Sequence, residues 1–415
     1  MAIVRGSIEC ETCGQSHTVR VGMGQEVSQG HRFPCHQCKE DIVIHLDVDY
    51  ENVAAHIRCG LNCKQIEEVA GAPIVNLDAN FLISEAEQAQ DGIFPRLRQM
   101  HGLIKKVIEQ HGPEALEDFQ ELSAAELNSR PHRRPDYADE WKRLRKAWSL
   151  TRNDKDKLSE RIVDAAHADF YSADDPLDGL SDWLWRFSMF ASQPAYEQRF
   201  RDAMDAIRNI DQSRLPDLKK RYENELAKPR ADLYFAAFNE FFAGYGEYAQ
   251  VFFSVTRGDA VTTDRKATSH GFESVRMSYG NLFEGLTSLI ELPVLLNNIL
   301  QGRDHDQFGQ LTLEGYRRLD KASRCNPLST TPALFAICEE ADNQLRNASH
   351  HGGIKFEPDS QTISYRAGKG GTGDERSMAY AEYLSRCSRL FLQILTVLRM
   401  ELILCNQLGW SPPIK

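Results

Sequence analysis

No run of about 20 apolar residues occurs in the 415-residue chain, so no segment reads as a bilayer-spanning helix. The most apolar stretch, 390–404, is broken by Gln393, Arg399 and Glu401 and reads as a buried helix instead. The first ten residues lack a basic start followed by an apolar core, so the expectation is a cytoplasmic protein with no membrane partner. Positive charge is not in excess either. Lys and Arg total 49 against 60 Asp and Glu, a net charge of −11, so the molecule as a whole repels polyanions and any nucleic-acid site must be a local patch. One such patch lies between Asn128 and Ile162, where eleven Lys/Arg face six Asp/Glu. No repeat of 20 to 50 residues, no Gly-x-Ser-x-Gly elbow and no carboxylate cluster with metal-nuclease spacing is present, which removes solenoids and weakens several hydrolase classes.

What is present is ordinary globular composition, 41% hydrophobic and 26% charged, in a chain long enough for two or three domains. The predicted fold is mainly α: helical bundles preceded by a β-rich zinc ribbon, with a short β-hairpin in the C-terminal bundle. Residues 1–50 form the ribbon, and 51–92 a connector with one strand, Ala72 to Ile83. Residues 93–230 form a helical middle domain, and 231–415 a C-terminal helical domain. Helices are expected over Pro113–Leu127, Pro135–Thr151, Asp175–Ala191 and Leu215–Leu226, with the boundary placed just after Lys228-Pro229. Beyond it the periodicity predicts helices to about 256, over Phe272–Leu300, Thr312–Ser323 and Pro332 to about His350. A hairpin, Ile354–Tyr365, and a closing helix, Glu375 to about Cys405, complete the chain. Gly368 to Gly373 lacks the order of a phosphate loop and reads as a link into the closing helix. Trp141 and Trp148 bracket a basic stretch, but their seven-residue spacing points both into a core.

Ten cysteines would suggest disulfides in a short secreted protein. Here Cys10-Glu-Thr-Cys13 and Cys35-His-Gln-Cys38 have the paired spacing that closes a tetrahedral Zn²⁺ site, each pair capping a hairpin. With four sulfur ligands no position is left for an activated water, so the zinc is structural and supplies folding free energy to a segment with little core. The arrangement resembles the zinc ribbon, a family that binds nucleic acid or protein partners. Cys59 and Cys63 read as an incidental pair rather than a second metal site, and Cys325, Cys338, Cys387 and Cys405 as core thiols.

Near the end of the penultimate predicted helix stands Arg346-Asn347-Ala348-Ser349-His350-His351-Gly352-Gly353, with the glycines as a helix stop. Arg followed at this range by His occurs also at Arg96/His101, Arg161/His167 and Arg265/His270, but only Arg346 is followed directly by Asn, Asp or His. The segment resembles the signature of the HEPN superfamily of helical-bundle RNases, on the penultimate helix of a C-terminal bundle, over roughly 270–408. The resemblance implies metal-independent RNA cleavage at a homodimer interface, where two copies of the motif face one cleft. It also implies a toxin or abortive-infection role against phage, with residues 1 to about 230 answering a regulatory protein or a phage-derived trigger.

The residue chemistry agrees with that implication. Arg346 suits a bidentate phosphate clamp, Asn347 an orienting donor and His351 a general acid or base. His350 is auxiliary, since it projects about 100° from His351. Arg317, Lys321 and Arg324, spaced i, i+4 and i+7, line an RNA groove or form a solvated helix face. Two other classes compete: a non-enzymatic zinc-ribbon protein holding a nucleic-acid or protein partner, and a catalytically silent bundle acting as scaffold or antitoxin.

Overall fold

The computed structural model describes residues 3–24, 26–49, 52, 54–111, 137–171, 175–262, 264–269, 271–368 and 372–414, with 103, 104 and 106–111 as backbone only. The helix expected over Pro113–Leu127 and the start of the basic patch lie outside the described residues. The fold is mainly α, with a β-rich N-terminal part.

Strands β1 (Ile3–Cys10), β2 (Ser16–Gly22), β3 (Ser28–Pro34) and β4 (Asp41–Asp49) form two antiparallel hairpins. On β4, Ile42, Ile44, Leu46 and Val48 alternate into one small core with Ile8, Val19, Val21, Phe33, Val75 and Leu77, the period-2 pattern of a half-buried strand. The stretch expected to be a connector belongs to the same unit. β5 (Ala54–Cys59) pairs with β4, β6 (Cys63–Ile66) with β1, and β7 (Ile74–Asp78) runs parallel to β2. The sheet orders are β6-β1-β2-β7 and β3-β4-β5, so the β unit extends well past residue 50. The reason is edge pairing: each hairpin alone leaves unpaired strand edges, and 54–78 covers three of them. A short strand β8 (Ile83–Ser84) leads into α1 (Glu85–Gln88) through a capping box at Ser84, and α2 (Pro95–His111) follows.

The helical part contains α3 (Tyr137–Thr151), α4 (Asp156–Phe170), α5 (Gly179–Ser192), α6 (Ala195–Ile207), α7 (Leu215–Arg221), α8 (Ala227–Ala243) and α9 (Tyr245–Thr256). The domain boundary expected near 230 falls inside a continuous rod, because a π turn at Tyr222–Leu226 joins α7 to α8. The Ala227 N–H reaches back to Tyr222 O, and this widening accommodates Pro229, which has no N–H to give an α-helix. A single hydrophobic core runs from Leu82 and Trp141 to Ile414, so middle and C-terminal helices are one packed body. Trp141 and Trp148 lie within it, edge to face at 6.2 Å between centroids.

After β9 (Arg265–Lys266), which pairs with β8, the expected Phe272–Leu300 helix is divided into α10 (Phe272–Val275), α11 (Ser278–Leu289) and α12 (Glu291–Leu300). The expected Thr312–Ser323 helix is likewise split. α13 (Leu313–Arg317) stops early, and Asp320 caps a new 3₁₀ helix at Lys321–Thr330 by accepting the Ser323 N–H at 3.1 Å. Next come α14 (Pro332–Phe335), α15 (Asn343–His350), and strands β10 (Lys355–Glu357), β11 (Thr362–Arg366) and β12 (Glu375–Ala379). The hairpin therefore gains a third strand, since β12 pairs with β11 and precedes the closing helix α16 (Tyr380–Leu408), while most of the expected link, residues 369–371, lies outside the described residues.

The charges that interrupt α16 are neutralised in the core. Glu401, 1% exposed, accepts Arg230 Nε at 3.0 and 2.9 Å, Tyr222 OH at 2.7 Å and Tyr234 OH at 2.6 Å, while Arg230 Nη1 donates to Leu289 O at 2.6 Å. Arg399 pairs with Glu197 at 2.7 Å over the Phe200 ring. No helix among the described residues is long and apolar enough to cross a membrane.

Candidate functional site

Two clusters carry chemistry. In the first, Cys10 and Cys13 flank the β1–β2 turn, and Cys35 and Cys38 the β3–β4 turn. Both turns close alike: Gly14 N–H donates to Cys10 O at 2.9 Å and Lys39 N–H to Cys35 O at 3.1 Å. The residue after each second cysteine is left-handed, with φ 73° at Gly14 and 65° at Lys39, so each turn presents both sulfurs to one side. The four Sγ atoms lie within 4.8 Å of one another, with Cys10 to Cys38 at 3.7 Å and Cys13 to Cys35 at 3.6 Å. A tetrahedral ion with metal–sulfur bonds of about 2.3 Å sets its sulfurs about 3.8 Å apart, so the donor set fits such an ion. The electrostatics favour one as well. Burial opposes the Cys10 thiolate, yet the N–H groups of Cys13 and Thr12 aimed at its sulfur bring it down to about 7, while desolvation and the adjacent sulfurs push Cys38 up to about 12. Four thiolates this close repel one another, and a cation among them offsets the repulsion.

Asn62 binds the two turns together, and no spacing in the sequence marks it. Held at φ 55°, it accepts Thr12 N–H at 3.1 Å and Thr12 Oγ1 at 2.8 Å through Oδ1, and donates from Nδ2 to Asp41 O at 3.1 Å. Cys63 stands opposite Cys10 in the β1–β6 ladder with its thiol directed to Val43 O, and neither it nor Cys59 joins the four-sulfur cluster.

The second cluster is built on α15. Asp342 caps the helix, accepting the N–H groups of Gln344 at 2.8 Å and Leu345 at 3.3 Å, and is held in turn by Arg386 at 3.1 Å. At the other end His351 N–H donates to Asn347 O, Gly352 turns left-handed at φ 68°, and Gly353 N–H returns to Ala348 O, the glycine stop expected there. Ser349 Oγ donates to Arg276 O at 2.7 Å, between α10 and α11, and accepts Gly280 N–H of α11 at 3.4 Å, which fixes the rotation of α15.

The rotation brings Arg346 over α11. Its Nη1 donates to Asn347 Oδ1 at 2.8 Å and its Nη2 pairs with Glu284. Lys321 reaches the same carboxylate at 3.7 Å and donates to Ser288 Oγ. Burial, then Arg324, lowers the Lys321 pKa, with Arg346 adding to the effect and Glu284 opposing it. Arg317 does not share a helix face with Lys321 and Arg324, because the helix ends at Arg317 and a new 3₁₀ helix starts at Lys321. Its guanidinium pairs with Glu291 at 2.6 Å, and its carbonyl accepts Arg324 Nη2 at 2.6 Å. Arg317 and Arg324 are thus bonded to each other, while Lys321 shares Glu284 with Arg346.

His351 caps the helix C-terminus and is exposed, with no hydrogen bond from its ring among the described residues. His350 is half-buried against α11, where its Nε2 meets Asn281 Oδ1 at 3.2 Å. The Asn281 Nδ2 donates to Glu240 Oε2 at 3.0 Å, and Ser278 Oγ donates to Glu240 Oε1 at 2.7 Å. Burial and then the Arg346 charge lower the His350 pKa, against Glu284 and Glu240. Glu284, Asn281, Gly280 and Glu240 were not legible as site residues. They meet the motif only through the packing of α8 and α11 on α15.

No protein-family model, no curated protein and no solved structure matches this chain.

Proposed function

We propose that the helical body is a metal-independent endoribonuclease of HEPN type, a toxin or anti-phage effector, that carries a structural zinc ion in its β-rich part. The observation that supports the reading is that the Arg346 guanidinium, hydrogen-bonded to Asn347, and the exposed His351 ring, without a hydrogen bond among the described residues, are carried on the last turns of one helix. A guanidinium there stabilises the charge of a pentavalent phosphate, and an imidazole supplies proton transfer. RNA enters by displacing phosphate-competing Glu284 from Arg346 and Lys321, so the resting protein holds its cations neutralised and its activity latent. A homodimer pairs two such clefts.

The β unit is the sensing part. It reaches the helical body through Thr268, which accepts Arg32 N–H at 2.7 Å through its carbonyl and bonds His31 Nδ1 at 2.8 Å through its hydroxyl. One residue away, Ala267 O accepts Gln361 Nε2 at 2.7 Å, which leads to the hairpin that follows α15. Binding of a regulatory protein or phage-derived trigger at the β unit thus has a bonded path to the motif.

The test is cleavage of labelled RNA by the purified full-length chain in EDTA, compared with Arg346→Ala and His351→Ala. Loss of cleavage in both variants with retained folding supports the reading, and equal activity in all three removes it. The second reading, a catalytically silent scaffold or antitoxin, draws on the same Glu284 ion pair. It predicts no cleavage and a copurifying partner.

A further inference from the structure

Single-step cleavage of RNA needs a base for the 2′-hydroxyl and an acid for the departing 5′-oxygen, and one imidazole does not serve both at once. The surroundings of His350 point to a base within the same chain. Asn281 Oδ1 faces His350 and its Nδ2 faces the Glu240 carboxylate, an orientation that the carboxylate dictates because the flipped amide would set oxygen against oxygen. An amide oxygen only accepts, so His350 carries its proton on Nε2. Nδ1 is left with its lone pair, and no partner engages it among the described residues. The ring rests directly on Gly280, where a Cβ would overlap its Cδ2 and Nε2. Such a cradle and a fixed tautomer are how proteins orient a working histidine.

Resting on the ribonuclease reading above, we infer that His350 is a second catalytic imidazole, a general base acting through Nδ1, with Asn281, Glu240 and Gly280 as its positioning residues and His351 of the same chain as the acid. His350 Nδ1 takes the 2′-hydroxyl proton and the 2′-oxygen bonds to phosphorus. The phosphorus–O5′ bond breaks, and protonated His351 delivers its proton to the leaving oxygen. The products are a 2′,3′-cyclic phosphate and a 5′-hydroxyl, and the two imidazoles exchange protons with water to reset. Dimerisation is then not required to bring acid and base together. The charged groups around His350 are Arg346 and His351 on its own helix, Glu284 on α11 and Glu240 on α8.

Full-length protein and a labelled single-stranded RNA in EDTA provide the test, with circular dichroism as the folding control. His350→Gln should lower the rate about 100-fold or more, the usual contribution of a positioned base. Glu240→Gln removes a carboxylate that favours protonated His350, so the acid limb of its rate–pH profile should move to lower pH. A merely structural role for Glu240 would not shift that limb. Co-expressed His350→Gln and His351→Ala chains should stay inactive, since neither carries both groups. If wild type cleaves but His350→Gln remains within about 3-fold of it, if the Glu240→Gln limb does not move, or if co-expression restores cleavage, the assignment of His350 fails while the ribonuclease reading stands. If wild type yields no cyclic phosphate, both fall.

Discussion

Removing the Glu401 carboxylate gives a sharp test of the shared core. Arg230 is 3% exposed and reaches Glu401 from one side while Tyr222 and Tyr234 reach it from another, so α8, the π turn and α16 are joined at one carboxylate. Burial opposes the Arg230 charge, but Glu401 holds its pKa above the ordinary arginine value, so it stays charged. In Glu401→Ala the guanidinium keeps Leu289 O and loses its counter-ion, and two tyrosine hydroxyls lose their acceptor. Stranding a buried charge costs about 3–5 kcal/mol, and each orphaned hydroxyl adds about 1 kcal/mol. This is a large share of a total stability on the order of 5–15 kcal/mol. Arg230→Met with Glu401→Leu replaces the pair by apolar groups and should recover to within about 2 kcal/mol of wild type. Urea unfolding followed by circular dichroism measures both, read as a change of midpoint at constant slope. A loss below about 1 kcal/mol in Glu401→Ala, or a double variant as unstable as the single one, would refute the network and the continuity of the rod with it.

Metal analysis of the purified chain should find one zinc per molecule, lost in Cys35→Ser. Amide exchange across 3–49 should then accelerate strongly while α16 keeps its protection, because this small core leans on metal binding. Asn62→Ala should speed exchange at both cysteine turns without releasing the metal, since the four sulfurs remain and what is lost is the amide's bridge from Thr12 and the Cys10 sulfur to Asp41 O. Gly280→Ala should displace the His350 ring and cut cleavage at least 10-fold, with thermal stability changed far less than cleavage. Glu284→Gln should raise RNA affinity several-fold by freeing Arg346 and Lys321, as read by filter binding, and unchanged affinity would contradict its place as the phosphate competitor.

The cysteine turns were legible because metal geometry dictates local spacing, and two residues between sulfurs leave a trace in one dimension. The mainly α character was legible from apolar periodicity. What escaped the sequence was long-range. Strands β5 and β6 bury only Ile57 and Cys63 and form because they cover the edges of β4 and β1, which no local pattern encodes. The helices turn more apolar and more aromatic after Lys228-Pro229, which suggested a boundary there, but the π turn carries one rod through Pro229. The spacing of Arg317, Lys321 and Arg324 suggested one face, but Asp320 between them is a helix cap and starts a new axis. At the motif, Arg346, Asn347 and His351 stand close in the chain and were readable together. Glu284 and Glu240 are 62 and 106 residues from Arg346 and reach the site through packing alone.

The most direct measurement is the 3′-end chemistry of RNA incubated with the full-length chain in EDTA, side by side with Arg346→Ala. Fragments ending in a 2′,3′-cyclic phosphate from the wild type, and absent from the folded variant, are the predicted result. Intact RNA with the wild type, or identical fragments from both proteins, would contradict the account.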